Sequence, residues 1–185
     1  MIGEKIAFWK PNPSAPLWDE EAEGEPKGPF FLDTRLEHIS QIGPSCVPTT
    51  LAMIARSTGA DVGPDDFKSI INSQSPHSWS KALELFGLQL AYCNQDLRRL
   101  THYIDELVGY DDLFLVCFYS SDPPFDPDSN GKLCTAHIVT LHRNKIYDTA
   151  KSGSCAVIPA KDYPRLNRQT KRIFRVVPLG HPRSV

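Results

Sequence analysis

Cys46 stands where a thiol is easily turned into a nucleophile. It follows a tight Gly43-Pro44-Ser45 approach and opens a run in which Val47, Leu51, Ile54 and Ala55 recur at helical spacing. The pattern predicts a helix over 46–58, with Ser45 as N-cap, Pro48 tolerated in the first turn and Gly59 as the stop. Unsatisfied N–H groups and the dipole at a helix start favour the thiolate, the form of cysteine that attacks carbonyls. The plainer alternative for Cys46 is one more small buried residue.

Such a nucleophile needs a base, and the base needs a group to orient it. Among six histidines, His137 is best placed, leaving a polar loop to head the apolar strand His137-Ile138-Val139-Thr140-Leu141. His38 and His142 are weaker candidates. His38 lies close before the helix, and His142 falls at a hairpin turn expected to be solvated. A two-residue turn at Arg143-Asn144 would fold 135–141 onto 145–149, pairing position 142 with 145, 139 with 148 and 137 with 150. Strand alternation then puts His137, Val139 and Leu141 on one face with Ile146, Asp148 and Ala150. That apolar face is expected to pack on the helices. A carboxylate there is costly unless paired, and the His137 imidazole is its natural partner. Acyl chemistry also needs donors for a developing oxyanion. The Cys46 N–H is one, and the Gln41 carboxamide just upstream is a candidate for the second.

In this order, Gln41, Cys46, His137 and Asp148 resemble the papain-like cysteine peptidases, in particular the compact bacterial group related to double-glycine-leader peptidases. The segment QIGPSCVPTTLAM resembles the glutamine–cysteine stretch that opens a helix there, and AHIVTLHRNKIYDTA resembles the hairpin carrying histidine and aspartate. The resemblance covers residues 38–58 and 112–150. The glutamine stands one residue closer to the cysteine than is usual in the group, and Val47 follows the cysteine where Gly or Trp is common. The resemblance implies an α+β, papain-like fold. It implies Cys46 as nucleophile, His137 as base, Asp148 as its orienting acid and Gln41 in the oxyanion hole. A peptide or isopeptide bond of a protein or peptide substrate would be cleaved through a thioester, with no cofactor. The same residues could serve a transglutaminase or a glutamine deamidase. An inactive papain-like shell that binds a partner through an aromatic N-terminal arm is a further reading.

The rest of the chain must position these groups. With 185 residues, 41% of them hydrophobic, it is long enough for one core. A formal net charge of -2 argues against a nucleic-acid binder working by counterion release. No apolar run approaches the roughly 18 residues of a spanning helix, and the first residues lack a secretory pattern. Cys93 and Cys117 sit in apolar runs as small buried residues, and five unclustered cysteines suit a reducing, cytoplasmic setting. Cys134 and His137 are two possible metal ligands without a second pair, so no metal site is expected.

Further helices are expected over 64–72, 77–86 and 96–109, and strands over 88–92, 113–119, 135–141, 145–149, 156–158 and 173–177, with 113–119 central. Helices followed by a mostly antiparallel sheet make an α+β domain. The loop over 120–132, with Asp122, Asp126 and Asp128, reads as solvated; at the rim of a cleft it would favour basic or polar substrate residues. Residues 1–30 form a Pro-rich arm expected to drape Trp9, Trp18, Phe30 and Phe31 over a catalytic domain spanning 31–185, with the acidic run over 19–23 left in solvent.

Overall fold

The run Leu113–Tyr119 has no polar residue at alternate positions, so it can be stable only with both faces covered. In the computed structural model, which describes residues 15–19, 22–121, 127, 129, 131 and 135–185, this run is an interior strand of a six-stranded antiparallel sheet. In chain order the elements are α1 (Cys46–Arg56), α2 (Pro64–Lys68), α3 (Pro76–Leu83), β1 (Leu88–Tyr92), α4 (Ile104–Gly109), β2 (Leu113–Tyr119), β3 (Ala136–His142), β4 (Lys145–Tyr147), β5 (Val157–Pro159) and β6 (Thr170–Pro178). The sheet order is β1-β6-β2-β3-β4-β5, and every pairing is antiparallel. The fold is α+β, as expected.

Each face of the sheet has its own core. Leu113, Leu115 and Cys117 of β2 join Ile138, Phe174 and Val176 beneath α1, α2 and α3. Phe114, Val116 and Phe118 join Val139, Leu141, Ile146 and Ile173 on the other face, covered by α4, Tyr163 and the pair Leu17 and Trp18. His137 alternates with Val139, so its strand face is covered by α4 and Tyr163 and not by α1. Of the helices expected on the His137 face, only α4 lies there; α1, α2 and α3 cover the opposite face, because the sheet is interior to two layers.

Several element limits moved for visible reasons. α1 ends at Arg56, where the hydroxyls of Ser57 and Thr58 donate back to the carbonyls of Ile54 and Ala55. Gly59 then turns the chain at φ 92°. The expected helix over 96–109 forms a single 3-10 turn at Leu100–His102 and then α4. Before it, the backbone is drawn into tertiary pairing: Leu100 N–H donates to Arg168 O, and Thr170 N–H to Arg98 O. α2 stops at Lys68, short of residue 72, because the Asn72 carbonyl receives the Trp79 indole N–H and the chain turns to start α3. β6 is longer than expected, reaching back to Thr170.

Leu17 and Trp18 are buried, and Asn94 N–H donates to Leu17 O at 2.7 Å. The backbone N–H groups of Phe30 and Phe31 donate to the Asp112 carboxylate. Trp9, residues 20–21 of the acidic run, Asp122, Asp126, Asp128 and Cys134 lie outside the described residues. No helix among the described residues is long and apolar enough to cross a membrane.

Candidate active site

Cys46 is the first residue of α1 and is half-buried. The approach is a turn that requires φ 63° at Gly43, and Ser45 N–H closes it on Gly43 O at 2.9 Å. Ser45 occupies the N-cap position, as expected, but its hydroxyl donates to Ile42 O at 2.9 Å and does not cap the helix. Pro48, the third helical residue, carries no N–H. The N–H groups of Cys46 and Val47 are therefore the orphan donors of the first turn, next to the thiol.

His137 is the second residue of β3, at the end of the sheet. Its Nε2 donates to Asp148 Oδ1 at 2.7 Å, and the Cys46 thiol lines the same cavity as the ring. Burial pushes the His137 pKa down, but the hydrogen bond to Asp148, the Asp148 charge and the neighbouring Cys46 thiol outweigh it and raise it to about 9. Burial alone would push Asp148 up; the His137, Tyr163 and Ala150 donors prevail and hold it below the usual carboxylate range. The Phe118 ring meets the imidazole edge-on, centroids 5.6 Å apart.

The hairpin that brings the pair together has the expected two-residue turn, with Arg143 at φ 57°. Its ladder is shorter than expected, ending at Thr140–Tyr147, so 139 does not pair with 148 nor 137 with 150. Asp148 N–H instead donates to Ala156 O at 2.9 Å, and the chain peels away after β4. Asp148 keeps the face of His137 all the same.

Gln41 joins this group through Thr149. Its Nε2 faces the Gly43 carbonyl at 3.0 Å, which can only accept, and this fixes Oε1 as the atom receiving the Thr149 hydroxyl at 2.8 Å. Gln41 N–H also donates to Thr149 O at 2.8 Å. Its hydrogen bonds run to Thr149 and Gly43, not to Cys46 or His137. His38 is no base here: its Nε2 donates to the Asp148 backbone carbonyl at 2.8 Å. His142 is buried where solvent was expected, donating to Phe31 O at 2.9 Å.

Tyr163 was not singled out from the sequence. Its hydroxyl donates to Asp148 Oδ2 at 2.9 Å, and burial with the Asp148 charge pushes its own pKa up. Nothing in its local segment, Lys161-Asp162-Tyr163-Pro164, marks it; only the fold brings it across. Ala150 N–H supplies the third donor to Asp148, at 3.0 Å. The carboxylate is thus 1% exposed yet well satisfied.

A cavity of about 200 Å³ opens beside Cys46 and His137, walled by Trp79 and Ile138, with Cys117, Lys171 and Arg172 also lining it. Among the described residues no group of three or more His, Cys, Asp or Glu could hold a metal ion, and Cys134 lies outside them.

No protein-family model matches the sequence, and neither does any curated protein. Similar chains are found among the solved structures. The peptidase domain of Streptococcus ComA, a bi-functional ABC transporter, matches with a TM-score of 0.50 at 15% identity, over 78% of this chain and 99% of that one. A double-glycine-motif protease from an AMS/PCAT transporter, solved with a leader peptide, matches with a TM-score of 0.47 at 16% identity, over 78% of this chain and 91% of that one. A protein described as a C39-like peptidase from Bacillus anthracis matches with a TM-score of 0.46 at 13% identity, over 77% of this chain and 94% of that one. At such identities the likeness to the ComA domain is one of fold, and it is the papain-like α+β fold expected above.

Proposed function

We propose that this chain is a papain-like cysteine peptidase acting on a protein or peptide substrate. One observation carries the reading: a thiol at a helix start and an imidazole held by a buried carboxylate line one cavity, with the His137 ring bonded to Asp148 at 2.7 Å. The shared fold with a peptidase domain supports it.

In this mechanism the Cys46 proton resides on His137, and the imidazolium, held by Asp148, stays charged at neutral pH because its pKa is about 9. The Cys46 thiolate attacks the scissile carbonyl. The Cys46 N–H and the Gln41 Nε2–H not bound to Gly43 stabilise the oxyanion. His137 gives its proton to the departing amine, leaving a thioester on Cys46. His137 then takes a proton from water, the hydroxide attacks the thioester, and the carboxylic acid leaves as the Cys46 thiolate and His137 imidazolium are restored. Asp148 keeps the ring aligned throughout, with Tyr163 and Ala150 keeping Asp148 in place. Residues 31–185 carry the catalysis, and Leu17 and Trp18 of the preceding arm pack into the core on the same face of the sheet, at the end away from His137. The working compartment is the reducing cytoplasm, where the unpaired thiols of Cys93, Cys117 and Cys155 persist.

The test is alkylation by an electrophilic peptide probe with mapping of the modified residue. Labelling is expected at Cys46 and absent from Cys46→Ala. Labelling that survives that substitution, at another cysteine and at the same rate, would falsify the assignment.

A further inference from the structure

Lys171 and Arg172 are consecutive residues of one strand, yet both line the cavity that holds Cys46 and His137. Consecutive strand residues ordinarily point to opposite faces. The register accounts for the exception. Cys117 of β2 pairs with Arg172, while the next residue, Phe118, pairs with Thr170, so Lys171 is the extra residue of a β-bulge. Arg172, opposite Cys117, shares its face. The Lys171 ammonium stands 5.8 Å from the centroid of the Tyr119 ring, and Tyr119 lies two residues beyond Cys117 on that face. Strand alternation alone would have sent Lys171 under the sheet with Ile173. The bulge turns it into the cleft beside Arg172.

Neither cation forms an ion pair with a carboxylate among the described residues, whereas the buried cation of β6, Arg175, is paired with Asp112. The floor between them offers no counter-charge either. Burial pushes the Cys117 thiol up to about 12 against the pull of Arg172 and Lys171, so it stays neutral. Two neighbouring cations repel each other, and an anion between them relieves that repulsion and makes charge-assisted hydrogen bonds. The apolar walls formed by Trp79 and Ile138 suit the stem of a side chain whose head is charged.

We propose that the cleft selects substrates with an acidic side chain, Glu or Asp, within two residues of the scissile carbonyl, held by Lys171 and Arg172. This rests on the reading of Cys46 and His137 as a peptidase nucleophile and base.

Peptidyl chloromethyl ketones provide the test, matched pairs differing only by Glu or Gln at either of the two positions next to the ketone. Alkylation of Cys46 is followed by mass spectrometry. In the wild-type chain a Glu probe should react about tenfold faster than its Gln partner, the effect of one charge-assisted hydrogen bond. In Lys171→Gln/Arg172→Gln that ratio should fall to within about twofold of unity. Equal rates in the wild type, or a preference that survives the double substitution, overturn the proposal and leave the nucleophile untouched. Should the double variant fail to fold, raising salt on the wild-type chain to about 0.5 M still decides, since screening must shrink the Glu preference. If neither ketone nor iodoacetamide modifies Cys46 while other cysteines react, the underlying peptidase reading falls and the proposal with it.

Discussion

Two buried ion pairs stand at opposite ends of β2, and they are built for different ends. Arg175 lies across from Phe114 at the start of the strand and binds Asp112 through Nε and Nη2, at 2.9 and 2.7 Å. The Asp112 carboxylate also receives the N–H groups of Phe30 and Phe31. The guanidinium is enclosed by rings, 4.9 Å from the Trp18 centroid and 4.8 Å from that of Phe30. His137 lies across from Phe118 at the other end and binds an equally well satisfied carboxylate. The two acids are treated alike; the cations differ. A guanidinium keeps its charge and here has aromatic rings against it, so the pair clamps the arm to the core. An imidazole can release its proton, and this one lines an open cleft together with a thiol. Burial and satisfaction stabilise both pairs; the cation's chemistry and its place at the cleft are what separate them.

The sharpest break of this comparison is to remove each cation's function in turn. His137→Ala should lower peptide turnover by about a thousandfold, the scale of a lost general acid–base. A variant retaining more than a tenth of wild-type turnover in a steady-state assay would mean that His137 carries no proton. Removal of the other pair's acid should act on stability instead. Asp112→Ala leaves Arg175 uncompensated at 3% exposure and should cost about 3–5 kcal/mol in urea unfolding. Iodoacetamide should still modify Cys46 in whatever fraction remains folded, because Asp112 touches none of the catalytic groups.

pH separates the pairs more finely. His137 is raised in the folded chain, so the stability its proton confers is complete below about pH 6.5 and is lost as pH rises through about 9. Asp148 is lowered, so its share is present above the ordinary carboxylate range and is lost as pH falls through its depressed value. An NMR titration of the His137 ring should therefore give a midpoint near 9, moving toward 6.5 in Asp148→Asn. A midpoint unmoved by that substitution would show that the carboxylate does not hold the proton on the ring. The smallest effect is expected from Tyr163→Phe, which removes one of three donors to Asp148. It should cost about 1 kcal/mol and shift acid unfolding to slightly higher pH.

Much of the candidate site was legible because its parts are local. Helical periodicity and the Gly43-Pro44 approach put Cys46 at the start of α1, and the two-residue turn at Arg143-Asn144 set the register that leaves His137 and Asp148 on one face. Tyr163 was invisible because its partner is fifteen residues away across an irregular segment. Thr149 was adjacent to the acid, but its bond to Gln41 spans 108 residues. The helix over 96–99 failed for the same reason: local propensity there competes with pairing to Arg168 and Thr170, which no window of sequence displays.

The sequence by itself determined the elements and the order of the reactive groups, because turn chemistry and hydrophobic period act over a few residues. Tertiary structure decided which layer covers His137, which donors hold Asp148, and that a bulge at Lys171 turns a second cation into the cleft. Those outcomes depend on how strands from distant parts of the chain come into register, and a one-residue shift there changes which way a side chain points.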